Sequence, residues 1–218
     1  MKISKLDLEP TAIDFLTSEG FEKLYEPQAY SVDAGILDGK SVLVSAPTAS
    51  GKTLIAMLGM LAHLPKNKSK IVYLSPLRAL AAEKFTEFKK LEKINLGRKI
   101  KVGISTGDFD SVEDKLENSD ILVLTNEKMD ALMRFGQSWI SEIGLVIVDE
   151  IHLIGDEGRG PTLEMVLTRL KSGLIGTIPQ IIALSATITN SDELAEWLNC
   201  EHVESTWRPV PLSEAVYD

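Results

Sequence analysis

The chain has 218 residues, a formal net charge of −9, and 44% of its residues are hydrophobic. This length and apolar content suit one large α/β domain, and the acidic balance argues against a general polyanion-binding surface, so any contact with nucleic acid must be local. The single cysteine, Cys200, excludes an internal disulfide, and three widely spaced histidines exclude a zinc ligand set. The N-terminus lacks an apolar signal segment and the longest apolar run, Leu54 to Leu64, is too short to cross a membrane, so we expect a cytoplasmic protein.

The first forty residues predict two helices. Pro10 to Glu19 carries apolar residues at helical spacing, and Gly20 is placed to end that helix. Pro27 suits the first turn of a second helix that runs to about Leu37. Gln28 offers one acceptor and two donors, the complement of an adenine edge, although a plain surface position is the simpler interpretation of a lone glutamine.

The next segment predicts a phosphate-binding loop. The run Ser41 to Val44 predicts a strand, the run from Leu54 predicts a helix, and residues 45–53 between them are Ser-Ala-Pro-Thr-Ala-Ser-Gly-Lys-Thr. In a strand–loop–helix unit the loop amides and the helix N-terminus converge on one point, which suits a polyphosphate. We predict that Lys52 reaches the β- and γ-phosphates and that the Thr53 hydroxyl binds Mg²⁺. A chance Gly-Lys-Thr turn is the alternative.

Two loop residues limit which amides can bind phosphate. Ala46 stands where the general motif has a glycine and cannot cheaply adopt a positive φ, and Pro47 has no amide hydrogen. The donors are therefore expected from Ala49 through Thr53. The residues predicted to line the nucleotide are Gln28, Ala46, Pro47, Thr48, Ala49, Ser50, Gly51, Lys52 and Thr53.

From Lys70 onward short apolar runs alternate with helical stretches. Strands are predicted at 71–74, 100–104, 121–124, 145–148 and 181–184, and helices from about 77 to 91, through 129 and 132, and near 162–170 and 192–198. Strands this apolar are buried on both faces, so they predict a doubly wound, mostly parallel sheet with helices on both faces and ligands at the carboxyl ends of its strands. The lysine-bearing stretches 65–70 and 97–101 precede strands, at the opposite edge, and are interpreted as solvated faces.

Two adjacent carboxylates follow the strand at 145–148. Successive strand side chains point to opposite sides, so Asp149 and Glu150 can take separate tasks. We assign Asp149 to Mg²⁺, usually through water, and Glu150 to the attacking water, with the metal nearby. Together with Lys52 they are the predicted catalytic residues; an acidic turn is the alternative.

Ordered motifs connect these sites to a known family. Ala46 to Thr53, Asp149-Glu150-Ile151-His152 and Ser185-Ala186-Thr187 resemble motifs I, II and III of the superfamily 2 DExH-box helicases. Segments 75–81, 105–108, 124–130 and 207–212 resemble further motifs of the Ski-like branch and, within it, the archaeal Holliday junction migration helicases (Hjm). The resemblance covers nearly the whole chain and implies a RecA-like, P-loop NTPase fold that uses ATP and Mg²⁺.

The resemblance also implies residue roles. Gln28, which follows Leu-Tyr-x-Pro, resembles the Q motif, and His152, Ser185, Ala186 and Thr187 are expected to couple motif II to motif III, with a packed histidine as the alternative for His152. Loops at strand ends bind a single strand through its backbone without reading sequence; Arg159 could instead brace motif III. The expected nucleic-acid residues are Pro76, Leu77, Arg78, Thr106, Gly107, Thr125, Glu127, Lys128 and Arg159.

The implied organisation is a fragment of a larger motor. Residues 1–40 are expected to form N-terminal helices and the Q-motif segment, 41–205 a first RecA-like motor domain, and 206–218 the start of a connection, strand-like at 208–212, to a second RecA-like domain that supplies arginines to the γ-phosphate. The fragment is then expected to bind nucleotide weakly, to hydrolyse it poorly and not to unwind alone. The full-length chain would translocate 3′ to 5′ on single-stranded or forked DNA in replication-linked repair or recombination.

Three alternatives remain at this point. An RNA helicase of the same branch would make the same backbone contacts. A non-enzymatic, nucleotide-dependent clamp would bind without turnover, against which the intact Lys52, Asp149 and Glu150 argue. A small-molecule kinase would leave Ser185-Ala186-Thr187 unexplained.

Overall fold

The computed structural model describes residues 1–66, 69–107, 116–174, 176–186 and 190–210. Across these ranges seven strands form one sheet: β1 (Val42–Ser45), β2 (Lys70–Ser75), β3 (Val102–Ser105), β4 (Ile121–Thr125), β5 (Ile143–Val148), β6 (Gln180–Ser185) and β7 (Glu201–Glu204). Their order is β3-β4-β2-β5-β6-β1-β7, and every neighbouring pair is parallel. All carboxyl ends therefore meet at one edge.

Helices cover both faces of the sheet. The described α-helices are α1 (Pro10–Ser18), α2 (Glu26–Asp33), α3 (Lys52–Lys66), α4 (Arg78–Phe88), α5 (Asn126–Phe135), α6 (Gly160–Lys171) and α7 (Ser191–Leu198). Alternate strand residues enter two separate cores: Ile71 and Tyr73 pack with α1, α3 and α4, whereas Val72 and Leu74 pack with α5, α6 and α7. The predicted doubly wound α/β fold is thus confirmed. Within the described ranges, none of the helices has both the length and the apolar character needed to cross a bilayer.

The helix behind the phosphate loop is buried along its length. Every residue from Leu54 to Leu64 is buried, because α3 lies between the sheet and the N-terminal segment. His63 is part of this buried run, and burial lowers its pKa to about 4. The imidazole Nε2 lies 2.8 Å from the Ser69 hydroxyl. A neutral histidine is therefore built into the core.

Two predicted helix ends are wrong. The second helix ends at Asp33 rather than near Leu37, because Gly35 adopts a left-handed φ of +97° and a separate 3-10 turn, Ile36–Asp38, follows it. The helix expected to reach residue 91 ends at Phe88 and continues as a 3-10 segment, Lys89–Lys93. In both places a tighter turn replaces the last α-helical turn.

The last part of the described chain folds differently from what its sequence predicted. Strand β7 was not predicted, because only Val203 of its four residues is buried and the segment has no apolar run. The strand predicted at 208–212 is wrong for residues 208–210, which adopt bends and irregular backbone, and residues 211–212 lie outside the described residues.

The basic stretches are not uniformly solvated. Lys70 is buried and donates hydrogen bonds to the carbonyl oxygens of Glu117 and Ser119, the latter at 3.0 Å. Its pKa is lowered by burial. Arg98 pairs with Asp120. These cations satisfy polar groups at the amino edge of the sheet, so the solvated-face interpretation is wrong for Lys70 and Arg98.

Candidate nucleotide and nucleic-acid sites

The phosphate loop joins β1 to α3 at the carboxyl edge of the sheet. Ala49 and Gly51 adopt positive φ angles of +64° and +83°, whereas Ala46 does not. The Ala46 amide donates to the Ser185 carbonyl at 3.2 Å, which continues the pairing of β1 with β6. Ala46 therefore has no free amide for a phosphate, and the turn that exposes loop amides lies in the second half of the loop.

Lys52 is held by carbonyl oxygens of its own loop. Its Nζ donates to Ala46 O at 2.8 Å and to Pro47 O at 3.1 Å. Burial lowers the pKa of Lys52, and the charges of Glu150 and Asp149 partly offset that effect. A phosphate bound by this lysine would replace neutral carbonyl partners with a charged one, which gives a stronger hydrogen bond.

Thr53 has a cationic neighbour that the sequence analysis missed. Lys84 Nζ donates to the Thr53 hydroxyl at 2.8 Å and lies 3.3 Å from Glu87. Its side chain is only 13% exposed. A magnesium ion held by the same hydroxyl would share its immediate surroundings with this ammonium group. No local motif could have shown this contact, since 31 residues separate the two positions.

Asp149 and Glu150 occupy different environments immediately after β5. Asp149 is buried; its Oδ2 accepts from the Tyr73 hydroxyl at 2.7 Å and its Oδ1 from the Glu150 amide at 3.1 Å. Glu150 is partly exposed and adopts a φ of +50°, an uncommon conformation for a non-glycine residue that is typical of functional sites. The two carboxylates therefore differ in burial and in hydrogen-bond partners, which allows them separate tasks.

Tyr73 is the second neighbour that the sequence analysis missed. Its ring is 1% exposed and packs edge-on against Phe88 at 4.9 Å between ring centroids. Burial, followed by the charge of Asp149, raises the pKa of Tyr73 well above its ordinary value. The phenol therefore stays protonated and is a permanent donor to the carboxylate.

These groups surround one cleft. Besides the loop, Lys52, Thr53 and the two carboxylates, it is lined by Leu80, Glu83 and Lys84 of α4. No cluster of three or more histidine, cysteine, aspartate and glutamate side chains suited to a metal occurs among the described residues. A hydroxyl and a carboxylate next to a phosphate-binding loop fit Mg²⁺, which retains waters and takes its remaining ligands from phosphate oxygens.

Gln28 lies behind the loop and not on the surface. It is only 2% exposed, so the plain surface interpretation is wrong. Its Oε1 accepts from the Tyr25 amide at 2.7 Å and its Nε2 donates to the Gly51 carbonyl at 3.2 Å. A Cβ built on Gly51 would overlap that Nε2 atom. Tyr25 itself stacks on Trp207 with 4.4 Å between ring centroids. The glutamine side chain thus connects the start of α2 to the phosphate loop.

The predicted coupling residues lie beside this cleft. His152 Nδ1 is 3.3 Å from Glu150 Oε2, an ion-pair distance without hydrogen-bond alignment. The 3-10 segment that carries it, Ile151–Gly155, packs against β6. Ser185 ends β6, and the Ala186 carbonyl accepts from the Ser45 hydroxyl at 3.4 Å. Thr187 lies outside the described residues.

The structure brings all nine predicted nucleic-acid residues around a second groove at the same edge. They come from the turn after β2 and the start of α4, the segment after β3, the end of β4 with the first turn of α5, and the turn before α6. The groove is lined by Pro76, Leu77, Arg78, Thr106, Gly107, Thr125, Glu127, Lys128 and Arg159.

Helix N-termini and cations make this groove suitable for phosphates. Helices α4, α5 and α6 all begin beside it, and a helix N-terminus offers free amides and a positive dipole end. Lys128 Nζ donates to Gly107 O at 3.0 Å, and its amide donates to the Thr125 hydroxyl at 3.3 Å. Asp156 Oδ1 accepts from the Arg159 amide at 2.8 Å, which fixes the turn that carries Arg159. The groove therefore presents helix N-termini and cationic side chains, which suit a phosphate backbone.

Helix α4 belongs to both sites. Arg78 at its first position lines the groove, whereas Lys84 in its middle contacts Thr53 in the cleft. Six residues of α-helix span about 9 Å. The two sites are therefore adjacent and share a rigid element.

Comparison with known proteins identifies the family. The family profile described as DEAD/DEAH box helicase matches residues 25–194, which contain both the cleft and the groove. The chain belongs to the DEAD/DEAH box helicase family. Its α/β fold is accordingly the RecA-like fold of a helicase domain.

Similar proteins agree with the helicase assignment. The chain is 46% identical over 217 residues to the ATP-dependent DNA helicase Hel308 of Pyrococcus abyssi, which covers 100% of this chain and 29% of that protein. It is 43% identical to the Hel308 helicase of Pyrobaculum calidifontis, of which it covers 30%. The crystal structure of the DUF1998 helicase MrfA superposes with a TM-score of 0.78 at 25% identity, over 92% of this chain and 33% of that one. The chain thus spans about a third or less of the length of these helicases.

Proposed function

We propose that this chain is the first, ATP-binding motor domain of an ATP-dependent DNA helicase. The observation that carries the proposal is that one sheet edge bears a phosphate-loop cleft and a groove of helix N-termini side by side. The relatives named ATP-dependent DNA helicase Hel308 match the chain over its whole length. The proposed organisation is an N-terminal and Q-motif segment at 1–40, a RecA-like domain at 41–205 and a connection to a second RecA-like domain from 206.

The loop residues and the two carboxylates of the cleft have proposed roles. Lys52 binds the β- and γ-phosphates, and loop amides between Ala49 and Thr53 bind the phosphate oxygens, apart from the Ser50 amide, which donates to the Pro47 carbonyl. Thr53 and Asp149 hold Mg²⁺, the latter through water. Bound magnesium neutralises charge on the transferring phosphoryl group. Glu150 orients the attacking water and accepts its proton.

The groove is proposed to hold a single strand by its backbone. Arg78, Lys128 and Arg159 neutralise phosphates, while the Thr106 and Thr125 loops contribute hydrogen-bonding groups. Such contacts do not read sequence, which suits a motor that moves along any strand. From the likeness to the DNA helicases above, we assign the strand to DNA, either single-stranded or forked. The proposed motor moves 3′ to 5′ and acts in repair or recombination, a role that would place the protein in the cytoplasm.

The cleft lies on one domain only, so turnover is proposed to need more than this chain. An arginine reaching the γ-phosphate from a second RecA-like domain can raise phosphoryl-transfer rates by several powers of ten. The 218-residue chain is therefore expected to bind ATP weakly and to hydrolyse it slowly.

The test compares ATP hydrolysis by this chain and by the full-length protein, each with and without single-stranded DNA. Only the full-length protein should show DNA-stimulated turnover, and Glu150→Gln should abolish that turnover while ATP binding is retained. Rapid turnover by this chain alone would contradict the proposal that hydrolysis needs a second RecA-like domain. Stimulation by a matched RNA strand but not by DNA would assign the motor to RNA, and binding without turnover in the full-length protein would favour a nucleotide-dependent clamp.

A further inference from the structure

Tyr73 is a buried residue of the sheet whose ring packs edge-on against Phe88, next to the proposed magnesium site. It lies in β2, in register with Ile147 of the neighbouring β5, and its ring contacts Phe88 at the end of α4. Asp149 stands two residues beyond Ile147, or about 7 Å further along the strand. The length of the phenol side chain carries the hydroxyl across this distance to Asp149 Oδ2, at 2.7 Å.

The carboxylate of Asp149 is fixed by one donor on each oxygen. The Tyr73 hydroxyl occupies one acceptor position of Oδ2, and the Glu150 amide occupies one of Oδ1. An ionised carboxylate accepts about four hydrogen bonds in all. The remaining acceptor positions are available to the cleft, in a side chain that is itself only 8% exposed. Without the phenol, the Glu150 amide would be the one hydrogen-bond donor among the described residues that restrains rotation of the carboxyl group.

We propose that Tyr73 is a positioning residue that orients Asp149 toward magnesium. The inference rests on the proposed function, and it extends it to a side chain outside the helicase motifs that the sequence analysis identified. Because Phe88 of α4 fixes the ring, the metal site is built by β2 and α4 as well as by the phosphate loop and β5. Donors that orient metal-binding carboxylates typically change metal affinity by 10- to 100-fold when removed.

The test measures binding of a fluorescent ATP analogue to this chain as a function of magnesium concentration. Tyr73→Phe removes the hydroxyl and keeps the ring. It should raise the half-saturating magnesium concentration about tenfold and leave analogue binding in EDTA within about twofold. Tyr30→Phe, which removes a phenol oxygen from a half-exposed tyrosine on α2, is the matched control and should leave both values unchanged.

A double-mutant cycle with Asp149→Asn separates positioning from general destabilisation. In the Asp149→Asn background, Tyr73→Phe should change the magnesium requirement less than twofold. The changes that the two substitutions cause in the urea unfolding midpoint, measured in EDTA without nucleotide, should be non-additive. Equal effects of Tyr73→Phe in both backgrounds, or an unchanged magnesium requirement, would overturn the positioning role of Tyr73 and leave the proposed function standing. A wild-type chain without magnesium-dependent nucleotide binding would overturn the proposed function, and this inference with it.

Discussion

Replacing Gln28 with methionine tests whether its side chain builds the phosphate loop before any nucleotide binds. The substitution keeps length and volume but removes the acceptor for the Tyr25 amide and the donor to the Gly51 carbonyl. Each hydrogen bond contributes about 0.5–1.5 kcal/mol net. Their joint loss should lower the free energy of unfolding by about 2 kcal/mol, which corresponds to a fall in Tm of about 4–8 °C for a domain of this size.

The assay is urea and thermal unfolding without nucleotide, followed by titration with an ATP analogue. Loss of the restraint on Gly51 should weaken analogue binding by roughly 2- to 12-fold, the equivalent of one hydrogen bond. Gln180→Met is the matched control, because it also removes two hydrogen bonds, those to Ile36 and Lys40, but at the opposite edge of the sheet. It should destabilise the chain without changing analogue affinity. If Gln28→Met changes the free energy of unfolding without nucleotide by less than about 0.5 kcal/mol, the structural role of Gln28 in the loop is refuted.

Three further predictions concern charge. The pKa of His63 is about 4 in the folded chain against an ordinary value of 6.5, so protons bind preferentially to the unfolded chain. Between pH 6.5 and pH 4 the free energy of unfolding should therefore fall by about 2.5 kcal/mol more in the wild type than in His63→Gln. Urea unfolding measures this difference, and parallel curves for the two proteins would refute the prediction. Lys84→Met should lower the magnesium concentration needed for nucleotide binding, because the ammonium and the metal ion compete at the Thr53 hydroxyl; a raised requirement would indicate that Lys84 instead binds phosphate. Arg78→Gln should weaken single-stranded DNA binding and reduce the slope of log affinity against log salt by about 0.7, whereas exposed Lys93→Gln should leave that slope unchanged.

Much of the fold was predictable because most of its strands are buried over all or nearly all of their length. Val42 to Ser45 and Ile121 to Thr125 have no exposed residue, so their uniform apolar character indicates both strand and parallel sheet. In a parallel sheet the carboxyl ends of all strands lie at one edge. Residues that follow separate strands therefore meet there, as the nine groove residues do. Strand β7 was missed because an edge strand with one buried residue has no such pattern.

The site was predictable only where local sequence carries its chemistry. Lys52 and Asp149 stand in motifs whose spacing determines their position on a loop or at a strand end. Tyr73 and Lys84, by contrast, act through contacts with residues 76 and 31 positions away, and one is a buried aromatic in an apolar run. Gln28 was assigned to adenine from its motif, whereas its observed partners are backbone groups of the protein, which only packing could reveal.

Helix α4 contributes residues to both the groove and the cleft, and this limits how the domain can be re-engineered. One helix carries Arg78 in the groove, Lys84 beside Thr53, and Phe88 against the tyrosine that holds Asp149. A chimera that takes this groove from another helicase must also take this helix. The helix brings with it Lys84, which contacts Thr53, and Phe88, which packs on Tyr73. The groove and the cleft are therefore not interchangeable modules, and we expect natural substitutions along α4 to be accepted in matched sets rather than singly.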